Sequence, residues 1–127
     1  MKKIIFVFFM IFFSHAAPEA ALDADIPNGK KLFNNPALGG GSTGKTCNTC
    51  HEDGLDLSVN LADKNYFHVM GITMDSAAEV VNFCIEVTLR GEAIDENGKQ
   101  MRDLLAYMKI LAGKGGGRKY KDLVGAE

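Results

Sequence analysis

Apolar positions fall along this chain in several distinct patterns. From Ile4 to Phe13 they run unbroken. A shorter grouping follows, in which Ile26, Lys30, Leu32 and Phe33 make one edge of a short helix. Pro27 suits its first turn, having no N–H to leave unpaired, and Asn34-Asn35-Pro36 ends it. The glycine-rich stretch from Ala37 to Thr46 reads as a flexible loop. Between residues 52 and 75, Leu55, Leu57, Val59, Leu61, Tyr66, Phe67, Val69, Met70, Ile72 and Met74 recur without a steady period, which predicts loop with one short turn of helix.

The period of a helix then appears twice. Val80, Val81, Phe83, Cys84, Val87 and Thr88 recur at three- and four-residue spacing and predict a helix over 76–90, with Asp75-Ser76 as caps and Gly91 as its stop. Met101, Leu104, Leu105, Met108 and Leu111 form one stripe of a helix over 98–112, leaving Arg102, Asp103 and Lys109 outside it. Gly113-Lys114-Gly115-Gly116-Gly117 is expected to break that helix and open a basic, frayed tail. No strand-like alternation or internal repeat is visible, so the expected fold is small and all-α.

The first apolar run has its own meaning. Met1-Lys2-Lys3 precedes it, and Ser14-His15-Ala16 puts small residues at the −3 and −1 positions of a cleavage site. Residues 1–16 therefore read as a secretory signal. As a helix the run rises about 15 Å, half a bilayer core, so no permanent membrane span is expected. The expected organisation is a signal at 1–16, a leader at 17–26, one domain at 27–112 and a Gly-rich flexible tail at 113–127.

Cleavage would remove two of the 14 basic side chains and none of the 16 acidic ones. The remainder is mildly acidic, with no basic cluster larger than Arg118-Lys119-Tyr120-Lys121, which argues against nucleic acid as a partner. Five of the 8 Phe would leave with the signal. The remaining core is thin, and something other than protein is expected to help fill it.

Cys47-Asn48-Thr49-Cys50-His51 supplies a candidate. Two thiols flanking two residues can each add to a haem vinyl group, and the next histidine is then placed to bind the iron. An export signal agrees, because c-type haem is attached outside the cytoplasm. Zinc would need further ligands, and only Cys84 and His68 are left, far apart in sequence. A thiol–disulfide oxidoreductase would want a βαβ framework, of which the pattern shows no trace. The expected cofactor is one covalently attached haem c. Phe33, Tyr66, Phe67, Phe83, Leu104 and Tyr107 are candidates to surround it, to join the terminal helices, or simply to pack the core.

From residue 27 to 112 the chain resembles class I c-type cytochrome domains. Gly29-Lys30-Lys31-Leu32-Phe33 is similar to their N-terminal helix, Cys47 to His51 to their attachment motif, and Leu104-Leu105-Ala106-Tyr107-Met108-Lys109 to their C-terminal helix. The resemblance implies a cytochrome c-like fold with the terminal helices crossed, Gly29 and Tyr107 standing at the contact. Asn82-Phe83-Cys84-Ile85-Glu86, Leu89-Arg90-Gly91-Glu92-Ala93 and Gln100 to Tyr107 resemble sulfur-compound-oxidising cytochromes such as thiosulfate dehydrogenase. In that group a cysteine at the place of Cys84 binds iron opposite the histidine, so the implied iron ligands are His51 and Cys84. Met101, Met70, Met74 and His68 are the other candidates for the distal position, which could also stand open.

The function so implied is an exported, periplasmic electron carrier exchanging single electrons with redox protein donors and acceptors. The alternative is a haem subunit of, or enzyme in, inorganic sulfur compound oxidation. With a single attachment motif, such an enzyme would need a partner subunit bringing a second haem or the substrate. A redox or gas sensor is a third class, with no output domain in the sequence.

Overall fold

The computed structural model describes residues 24–57, 61 and 64–115. The expected signal, most of the leader and the tail from residue 116 lie outside the described residues. The fold is small and mostly helical. Its elements are α1 (Ile26–Phe33), a 3₁₀ turn (Leu38–Gly40), α2 (Cys47–Cys50), a second 3₁₀ turn (Glu52–Gly54), β1 (Phe67–Val69), β2 (Ile72–Met74), α3 (Ala77–Cys84), a π-helical turn (Ile85–Leu89) and α4 (Lys99–Gly115). Among the described residues no helix is long and apolar enough to cross a membrane.

α1 starts where Asp25 accepts the Asn28 N–H at 2.9 Å, with Pro27 in the first turn. It buries Gly29, Leu32 and Phe33 against α4. The approach is close enough that a Cβ on Gly29 would run into the Asp103 carbonyl oxygen and lie 2.8 Å from Tyr107 Cβ. Phe33 meets Tyr107 edge to face, with ring centroids 5.5 Å apart. Phe33, Met101 and Leu104 are fully buried in this layer.

Asp103, placed outside the stripe by the sequence pattern, is also fully buried. Its carboxylate accepts the Asp25 N–H at 2.8 Å, the Asn28 amide at 2.7 Å and the Lys99 ammonium at 2.9 Å. These donors compensate its burial and pull the carboxyl down to about 2. Asp103 thereby closes the start of α1 onto the start of α4.

Five further expectations are corrected. β1 and β2 pair antiparallel, Phe67 with Met74 and Val69 with Ile72, where a loop was expected. The turn joining them uses left-handed backbone at Met70 (φ 51°) and Gly71 (φ 82°), the conformation a two-residue hairpin needs. The helix over 76–90 changes character midway: α3 ends at Cys84 and continues as the π turn. Its end is capped by Arg90 in left-handed conformation rather than by Gly91. Finally, α4 runs through Gly113 to Gly115 instead of breaking at Gly113, and Ile26 belongs to α1 rather than to the leader.

Candidate haem site

α2 is a single turn made by its caps. Thr46 Oγ1 accepts the Thr49 N–H at 3.2 Å, and Thr49 Oγ1 accepts the Thr46 N–H at 2.9 Å, a reciprocal capping box. One helical turn brings positions i, i+3 and i+4 to the same side, so Cys47, Cys50 and His51 face one cavity together. All three cysteines, Cys84 included, are free thiols.

His51 ends the turn and is partly buried. Its Nδ1 stands 2.8 Å from the Leu55 carbonyl oxygen. A carbonyl can only accept, so Nδ1 is the donor here, which in a neutral ring leaves the lone pair on Nε2. This is the arrangement that orients a metal-binding imidazole. The 3₁₀ turn that presents Leu55 contains Gly54 at φ 87°, and a Cβ there would come within 2.9 Å of the Leu111 carbonyl oxygen. The close approach seats the motif directly on α4.

The cavity holds about 470 Å³, within the range of small-molecule and cofactor sites. Val80, Val81, Cys84, Ile85, Thr88 and Leu89 come to it from α3 and the π turn, Tyr66 to Val69 from the hairpin, and Met108 from α4. Leu57 and Leu61 add to a mostly apolar wall, while Lys64 and His68 are exposed where they line it.

Cys84 therefore shares the cavity with His51. The other distal candidates divide: His68 lines the cavity, whereas Met101 and Met74 are buried outside its lining, and Met70 is 72% exposed on the hairpin turn. The aromatic candidates divide similarly. Tyr66 and Phe67 line the cavity, Phe33, Leu104 and Tyr107 belong to the α1–α4 layer, and Phe83 is partly buried against the core, outside the cavity lining.

Burial, and next the nearby Cys84, push the Cys47 thiol up to about 11. Burial, and next Cys50, raise Cys84 as well. Both are neutral thiols at pH 7 in the chain alone; iron would favour the thiolate of Cys84. Among the described residues no three His, Cys, Asp or Glu side chains group to hold a metal ion by themselves. A metal held by His51 and Cys84 would need further ligands that the grouped side chains do not supply and that a porphyrin would. The thiol pair, the oriented imidazole and the apolar walls fit that group.

Sequence pattern did not single out Asn82, a buried side chain on α3. The signal was present, since it is a lone amide within Val80-Val81-Asn82-Phe83-Cys84. No family model, curated protein or solved structure matches the chain.

Proposed function

We propose that the chain is an exported, periplasmic c-type cytochrome with one haem attached through Cys47 and Cys50, its iron held by His51 and Cys84, carrying single electrons between redox proteins. The observation that carries this reading is the convergence of Cys47, Cys50, His51 and Cys84 on one mostly apolar cavity. When bound, the group would supply a one-electron ferric–ferrous couple. The chain's own residues do the rest. The Leu55 carbonyl holds the His51 proton on Nδ1 and so directs Nε2 to the metal. Leu57, Leu61, Val81 and Leu89 give the cavity buried apolar walls, which would limit solvent rearrangement on electron transfer. An anionic sulfur from Cys84 favours ferric iron and lowers the potential.

A mildly acidic protein suits a donor or acceptor with a basic face, in small and short-lived encounters. A second reading, a haem subunit acting on inorganic sulfur compounds, draws on one specific placement: the exposed Lys64 ammonium lines the same cavity as Cys84, opposed there by Asp56, and would be its attraction for an anion. Reduction of an electron acceptor by the protein given thiosulfate alone supports that reading; inertness towards thiosulfate supports the carrier.

The test of the common premise is direct. Produced with its signal in a host that attaches haem c, the protein is expected to be coloured, to retain haem under denaturing conditions, and to exceed the processed chain's mass by one haem. Cys47→Ser and Cys50→Ser should each weaken or abolish that attachment. A colourless product with the mass of the chain alone overturns the proposal.

A further inference from the structure

Asn82 and Asp103 are the buried polar side chains among the described residues. Asp103 joins the terminal helices, away from the cavity lining. Asn82 stands on α3 two residues before Cys84, and both ends of its amide go to one residue. Its Nδ2–H donates to the Ile94 carbonyl at 2.9 Å, and its Oδ1 accepts the Ile94 N–H at 2.9 Å. A buried amide is unfavourable unless both its groups are met. Here they are met by backbone that has no helix or strand of its own.

The segment so clipped is itself tied to the peptide that delivers Cys47. Glu92 N–H donates to the Gly39 carbonyl at 2.7 Å, Ser42 N–H to the Leu89 carbonyl at 2.9 Å, and the Thr43 hydroxyl to the Thr88 carbonyl at 3.1 Å. At Gly91 a Cβ would stand 2.6 Å from the Gly39 carbonyl oxygen, so the two peptides touch with no side chain between them. The approach to the attachment motif and the exit from the Cys84 helix are thus one joined strap. Asn82 anchors that strap to α3.

We infer that Asn82 is a positioning residue for Cys84: its clip on Ile94 holds the turn bearing Cys84 against the strap, and so sets the reach of the sulfur into the cavity. The inference rests on the proposed haem and on its Cys84 ligand. The hydrogen-bond pattern changes from α to π immediately after Cys84, where the chain passes into the π turn. The side-chain clip supplies a constraint from outside the helix.

The test compares the oxidised holoprotein in four forms, wild type, Cys84→Ser, Asn82→Ala and Asn82→Gln, by paramagnetic resonance and optical spectra, with midpoint potential and thermal melting alongside. Wild type should give one low-spin signal that Cys84→Ser abolishes. Asn82→Ala should transfer a sizeable fraction of that signal to the form seen in Cys84→Ser and move the potential in the same direction. Asn82→Gln, which keeps the amide, should recover part of the wild-type signal. If Asn82→Ala lowers the melting temperature while its signal and potential stay those of wild type, the residue is merely structural and the inference is overturned. Should Asn82→Ala fail to accumulate, Asn82→Ser, which also removes the amide, takes its place and is read by the same criterion, a signal and potential identical to wild type overturning the inference. An unchanged signal in Cys84→Ser would overturn the ligand assignment and this inference together, whereas one confined to the Asn82 variants overturns this inference alone.

Discussion

Cys84 and Met101 were rivals for one task, and their surroundings separate them. Cys84 is half-buried at the cavity, and Met101 is wholly enclosed between α4 and its neighbours. In the proposed cytochrome, Cys84→Ser should therefore alter the oxidised spectrum and raise the potential. Met101→Leu, close in volume, should leave the spectrum as it is and cost less than about 1.5 kcal/mol on chemical denaturation. The opposite pair of results would hand the iron to Met101. The grouping of Cys47, Cys50 and His51 was legible because the five residues from Cys47 to His51 are consecutive and one helical turn assembles them. Asp103 and Asn82 were not, because their partners Asp25 and Ile94 lie 78 and 12 residues away in the chain. A charged or amide side chain within an apolar stretch announces that a partner exists without saying which.

Elements were readable where local chemistry decides them. Pro27 and Ser76 marked the starts of α1 and α3, and Ser76 Oγ does accept the Glu79 N–H at 3.0 Å. The hairpin escaped because three-residue strands are too short to show an alternation, and its turn is Met-Gly rather than the usual Asn-Gly. Met70→Asn should accordingly stabilise the protein by part of the roughly 1–2 kcal/mol that left-handed backbone costs an ordinary residue, read as a rise in melting temperature. The π turn left no trace in the pattern because its apolar spacing is still that of a helix. Gly113 looked like a terminator, yet its surroundings are open and the helix continues past it. Gly29 is different. Gly29→Ala would force α1 away from Asp103 and Tyr107 and should destabilise by about 1–3 kcal/mol in a denaturant titration. Gly113→Ala, with nothing near its Cβ, should be neutral or mildly stabilising.

For the molecule as a whole, the terminal helices form one layer and the cavity-bearing segment from α2 to the π turn forms the other, with Gly54 and Met108 among the points where they meet. The first layer depends on the ionised Asp103. Its carboxyl is held at about 2 against an ordinary value of 3.8, so its contribution is complete above the ordinary value and is lost as pH falls towards 2. Melting temperature should decline over that interval. In Asp103→Asn the decline should be shallower and the neutral-pH stability lower by about 1–3 kcal/mol, since a neutral amide cannot accept from all three donors.

The strap between the Gly39–Thr43 and Thr88–Glu92 peptides has a further consequence. The chain from Ser42 to Lys45 is exposed, while the part ahead of Gly44 is held twice, by α1 on α4 and by Ser42 and Thr43 on the carbonyls that follow Cys84. A protease that nicked this loop would leave the two fragments associated, and two peptides made separately and divided there would reassemble by docking α1 onto α4.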